Sequence, residues 1–138
     1  MTVEDDRVKA ARRLFAAIET GDDAVLRSIY AEKVVQVEHP NRLKPKGDRR
    51  GLEKMLADLA RGKAILREEG YDILEAVAAG PLVALRVKWT GVLAVPIGDL
   101  AAGDSLICES GIFLRFEGEN VVEQHNYDCF EDFTAPRS

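Results

Sequence analysis

The run Val121-Val122-Glu123-Gln124-His125-Asn126-Tyr127-Asp128-Cys129-Phe130 sets proton-carrying and hydrogen-bonding side chains at two-residue spacing. In an extended strand alternate side chains share a face. Gln124, Asn126 and Asp128 therefore form one row, and Glu123, His125 and Tyr127 the other. A half-buried surface strand alternates polar with apolar residues. Here both rows are polar, so one of them is expected to line a polar-walled cavity. Three polar side chains turned inward need partners or a ligand. His39 is the second chemically able residue. It closes a strand-like stretch just before Pro40, on the same face as Val35 and Val37. An imidazole transfers protons near neutral pH. With both faces turned inward, His39 and Asp128 would form an acid–base pair, and burial would raise the carboxyl pKa unless a cation lay close. Trp89 is a flat apolar surface suited to a ring-containing ligand. Tyr30 and Arg42 are candidates for the cavity mouth.

These residues depend on a small set of elements. Residues 3–20 read as an amphipathic helix, with Val8, Ala11, Leu14, Phe15 and Ile18 on one stripe. Thr2 with Asp5 fits a capping box, and Gly21 fits a C-terminal stop. Asp22 or Asp23 can cap a second helix running through Tyr30. A strand is expected at 34–39, then a polar loop at 40–50. A third helix is expected from Leu52 to Glu69, with Gly70 as its stop. Four strands follow, at 71–79, 82–95, 105–117 and 120–130. In the strand at 105–117, Leu106, Cys108, Ser110, Ile112 and Leu114 share one face. Glu109 faces the other way, toward Arg86 or Lys88. Helices first and antiparallel strands after give an α+β fold.

The chain has 138 residues, of which 46% are hydrophobic and 31% charged. That suits one globular domain, residues 1–138, able to bury a core without staples. The net charge of −5 argues against a nucleic-acid surface. The basic run from Arg42 to Arg50 reads as a solvated loop or as a lure for an anionic ligand. No membrane-length apolar run and no signal peptide are visible, and Cys108 and Cys129 read as free thiols of a cytoplasmic protein. No CxxC or HExxH spacing marks a metal site.

Five segments carry a family resemblance: Phe15-Ala16-Ala17-Ile18-Glu19-Thr20-Gly21-Asp22, Val37-Glu38-His39-Pro40, Gly51-Leu52-Glu53, Trp89-Thr90-Gly91, and Glu123-Gln124-His125-Asn126-Tyr127-Asp128. On these the chain resembles the nuclear transport factor 2-like superfamily, and more closely its SnoaL-like group. The resemblance implies a cone-shaped α+β barrel, with three N-terminal helices packed on a strongly curved, mostly antiparallel sheet around an open-ended cavity. It is weak for any one activity, because the fold hosts isomerases, cyclases, hydrolases and binding modules. In ketosteroid isomerases a general-base carboxylate ends the first strand, where this chain matches with His39. The oxyanion-hole tyrosine and aspartate of that group match Leu14 and Ile112, neither of which donates a hydrogen bond. The catalytic aspartate of limonene epoxide hydrolases matches Asn126, and its partners match Arg86 and Lys88. The late acid/base of SnoaL-like cyclases falls nearest Asp128, one residue out of step unless a bulge intervenes.

The expected function is binding of a small apolar organic molecule. If the protein is an enzyme, cofactor-free proton transfer fits best: isomerisation, aldol-type cyclisation or dehydration. His39 and Asp128 would carry the chemistry. Asn126 and Gln124 would orient the ligand, and Trp89 would pack on it. The alternative is a non-catalytic ligand-binding or protein-interaction module. By resemblance the protein would be a homodimer, paired through the outer sheet face that Ile107, Phe113 and Val121 are expected to share.

Overall fold

The capping box forms as the sequence leads one to expect. In the computed structural model, which describes residues 2–131, Thr2 Oγ1 accepts from Asp5 N at 3.0 Å and Asp5 Oδ2 accepts from Thr2 N at 3.2 Å. They open helix α1, Val3–Thr20, which ends on Gly21 in the left-handed region at φ 71°. Helix α2, Asp23–Ile29, is capped by Asp22. Strand β1, Tyr30–Glu38, then leads to the short strand β2, Asp48–Arg50. Helix α3 is Leu52–Ile65, and strands β3 to β6 are Leu66–Ala79, Leu82–Leu93, Ser105–Glu117 and Asn120–Phe130.

The six strands form one mixed sheet in the order β2-β1-β6-β5-β4-β3, which does not close. All pairings are antiparallel except β1 with β6. Helix α1 packs against β3 and β4, and α3 against β1 and β3. The core lies between helices and sheet, built on Leu14, Phe15, Ile18, Met55, Leu85, Ile112 and Leu114. This is the three-helix α+β cone that the resemblance implies.

Four expectations need correction. Helix α2 stops one residue early, because Tyr30 takes extended angles and begins β1. Helix α3 ends at Ile65 and passes without a loop into β3, where Gly70 sits in mid-strand. Pairing of Leu66 with Leu93 and of Glu69 with Gly91 overrides the helical preference of this segment. The stretch 40–50 is not all loop: β2 folds back on β1, pairing Gln36 with Arg50 and Glu38 with Asp48. Gly47 makes that reversal possible at φ 70°, where an added Cβ would lie 2.5 Å from the Glu38 carbonyl oxygen. Finally, Val121 is fully buried in the core rather than on the outer face. A register shift between Arg115 and Phe116 in the β5–β6 pairing turns it inward.

Candidate functional site

Between α1, α3 and the inner face of the sheet lies a cavity of about 310 Å³. One wall is apolar and aromatic, with Phe15 and Ile18 from α1, Leu59 from α3, and Tyr71, Val87, Trp89 and Ile112 from the sheet. The facing wall is polar and comes largely from the parallel pair β1 and β6. Gln36 and Glu38 of β1 stand beside Gln124 and Asn126 of β6, with Asp128 further along the same row. Arg50 of β2, Asp58 of α3 and Ser110 of β5 complete it.

Tyr30 Oη donates to Gln124 Oε1 at 2.5 Å, and Gln124 Nε2 donates to Asn126 Oδ1 at 2.9 Å. This ladder fixes the orientation of both amides. Burial pushes the Tyr30 phenol well above its usual range, so the hydroxyl stays a donor. Tyr30 and Gln124 are both buried. A Tyr30→Phe change leaves the Gln124 carbonyl without its donor and costs about 1–3 kcal/mol, read as a lower urea midpoint with an unchanged slope.

Asp128 Oδ1 accepts from Ser110 Oγ at 2.6 Å. Burial raises its pKa, and the nearby Glu38 charge adds to the rise. The Ser110 hydrogen bond and the charges of Arg50 and Lys44 oppose it without cancelling it. Glu38 itself is gripped on both oxygens, Oε1 by Arg50 Nη2 and Oε2 by Lys44 Nζ at 3.2 Å. Arg50 is 7% exposed and also holds Gln36 Oε1 and, at 2.9 Å, Asp58 Oδ2. Two carboxyl groups, Glu38 and Asp128, therefore line one cavity in unlike settings: one gripped by two cations, the other capped by a serine hydroxyl.

The sheet separates His39 from Asp128. Val34, Gln36 and Glu38 face inward on β1, so His39 falls on the outer face. There its Nε2 lies 2.9 Å from His125 Nδ1, and its ring stacks on Tyr127 at 4.0 Å between centroids. His125 Nε2 in turn meets Glu123 Oε1 at 2.6 Å, a bond that holds the Glu123 carboxyl below its ordinary range. The anticipated His39–Asp128 pair does not form. Arg42 is exposed in the turn after β1, and its neighbour Leu43 lines the cavity instead. Trp89, Gln124, Asn126 and Tyr30 do line it.

Sequence reasoning misses Glu38, Arg50, Asp58 and Ser110. The available signal was the polar inner row Gln36–Glu38, the equivalent of the row recognised on β6. Of the positions matching an isomerase oxyanion hole, Ile112 lines the cavity, while Leu14 is core. Arg86 faces outward, bonded to Glu75 at 2.9 Å and near Glu109 at 3.6 Å. Burial pushes the Cys108 thiol up to about 11, which disfavours the thiolate a nucleophile needs. Among the described residues no cluster of three or more His, Cys, Asp or Glu side chains could hold a metal ion, and no helix is long and apolar enough to cross a membrane.

The SnoaL-like domain family matches residues 11–124 of the chain. Among solved structures, IdmH from Streptomyces antibioticus, a candidate polyketide cyclase, is similar with a TM-score of 0.78 at 20% identity, covering 88% of this chain and 91% of that one. An M. tuberculosis LEH-like epoxide hydrolase is similar with a TM-score of 0.74 at 11% identity, covering 93% and 86%. A protein with a ketosteroid isomerase-like fold from Catenulispora acidiphila, solved with trimethylamine, is similar with a TM-score of 0.65 at 19% identity, covering 86% and 83%. These likenesses speak to the fold. No sequence among the curated proteins matches the chain.

Proposed function

The chain belongs to the SnoaL-like domain family, and we propose that its cavity binds a small, largely apolar carbonyl compound and moves a proton on it without a cofactor. The observation that carries this reading is the pair of unlike carboxyl groups, Glu38 and Asp128, on one cavity wall facing an aromatic one. Glu38 takes a proton from the carbon next to the carbonyl. Asp128, whose neutral form burial favours, gives its proton to the carbonyl oxygen. The enol so formed collapses in reverse, with reprotonation at the same carbon, at a conjugated one, or with loss of a β-hydroxyl as water. Those outcomes are exchange, isomerisation and dehydration. Asn126 steadies the carbonyl through its amide nitrogen, and Trp89 packs on the ring.

A non-catalytic binding module is the second reading. It is favoured by the grip of Arg50 and Lys44, which occupies both of the Glu38 oxygens that a base would use. One experiment separates the two. The protein is incubated with 1-tetralone in deuterium oxide, and exchange at the carbon beside the carbonyl is followed by NMR. Exchange that is lost in Asp128→Asn and in Glu38→Gln, while binding persists and His39→Ala exchanges normally, supports catalysis. Binding without exchange in the unaltered protein supports the module.

A further inference from the structure

At the other end of the same cavity a buried carboxylate has no part in this chemistry. Glu69 lines the cavity from β3, and its side chain is 9% exposed. Trp89 Nε1 donates to its Oε2 at 2.8 Å, and Lys63 Nζ lies 2.6 Å from its Oε1. Lys63 also donates to the Glu19 carbonyl, so it is anchored to the end of α1. A carboxylate offers about four acceptor sites. Two are used by these donors, which leaves acceptor capacity beside Leu66, Trp89 and Leu106. Burying a carboxylate there is costly unless its bonds are completed.

The geometry points to Glu69 as a specificity-determining residue that accepts a hydrogen bond from a hydroxyl on the far end of the ligand. This rests on the ligand-binding reading above and narrows its substrate class. The sheet register sets the length. Asp128 stands opposite Ser110, which stands opposite Val87, whereas Glu69 stands opposite Gly91. Four residues along β4 separate the two levels by about 13 Å. Glu69 also lies three strands across the sheet from Asp128, a gap that the curl of the sheet only partly closes. With a hydrogen bond of about 2.8 Å at each end, the two polar atoms of the ligand stand at least about 7 Å apart. Two fused six-membered rings with a carbonyl at one end and a hydroxyl at the other are the smallest body of that kind. The aromatic wall between the two poles, formed by Tyr71 and Trp89, suits such a flat body.

Trp89 is the only tryptophan, so its emission reports binding at this site. Titration of the protein with 1-tetralone and with 6-hydroxy-1-tetralone measures the worth of the hydroxyl. We expect the hydroxyl to tighten binding about tenfold or more in the unaltered protein, as for a hydrogen bond to a charged acceptor. In Glu69→Leu the advantage, read as the ratio of the two ketones' affinities for that same variant, should fall to about one. Glu69→Gln keeps the shape and a neutral acceptor, and should retain part of the advantage, which covers the case in which the leucine variant does not fold. No hydroxyl advantage in the unaltered protein, or a full advantage surviving in a folded Glu69→Leu or Glu69→Gln variant, overturns the role of Glu69 while leaving the cavity reading standing. Failure of both ketones to bind counts against the cavity reading itself and removes this inference with it.

Discussion

Replacing Arg50 with methionine is expected to lower stability by about 3–5 kcal/mol, a large part of what holds a domain of this size together. The side chain is 7% exposed and meets four acceptor residues on three elements: Gln36 and Glu38 on β1, Asp58 on α3, and Asp48 at 3.9 Å at the start of its own strand. It is thus the tie between the β1–β2 hairpin and helix α3. Without it, Glu38 and Asp58 remain largely buried with much of their positive partner gone. Lys44 still holds Glu38, and Lys54 and Arg61 still hold Asp58, but from the more exposed side. The penalty comes from two carboxylates that have lost their buried cation. That distinction can be measured. A triple change, Arg50→Met with Glu38→Gln and Asp58→Asn, removes both under-paired charges and should recover most of the loss. Arg50→Lys should not, because one ammonium cannot reach three elements in a planar fork. Urea unfolding followed by Trp89 emission gives the three values. A cost below about 1 kcal/mol for Arg50→Met would place this network among ordinary surface ion pairs.

Arg50 also shows where the sequence was hard to read. Strands β4 and β5 are legible because they follow a simple rule: every second residue faces inward and, Gly91 and Ser110 aside, is apolar. The same rule misleads on β1. Val35 and Val37 look like an inner row, yet Gln36 and Glu38 occupy the inside, since this stretch of wall is polar. The alternation puts His39 in the cavity with Val35 and Val37, and it lies outside with them for the same reason. On β6 both rows are polar, so hydrophobic alternation cannot choose between them; the pairing with β1 puts Gln124, Asn126 and Asp128 inside. The partners of that wall come from far away in the chain. Arg50 sits on a strand of three residues, too short to show a period, and Asp58 on the inward edge of a helix whose polar positions otherwise face water. Only the β1–β2 pairing, with Gln36 opposite Arg50, brings these charges together. Glu69 was hidden differently: its segment has helical preference and becomes strand through pairing with β4.

Asp128→Asn should have two effects of opposite sign. The proposed proton transfer should fall by about 10²–10⁴-fold, because the amide can keep the Ser110 hydrogen bond but has no proton to give. Stability, by contrast, should rise at neutral pH. The ordinary carboxyl value is 3.8, and burial lifts that of Asp128 in the folded protein. The unfolded chain therefore ionises this group first. As pH climbs above 3.8 the folded state loses ground, and it continues to do so until the raised folded value is passed. Asparagine has no such penalty. The melting temperature of the variant should exceed that of the unaltered protein at pH 7, and the two should converge as pH falls toward 3.8 and below. A difference that is flat across pH would mean that burial does not raise the carboxyl's pKa, and Asp128 would lose its claim as the acid. A site that costs stability where it supplies a proton is what a catalytic cavity predicts, whereas a purely structural aspartate would make the variant weaker at every pH.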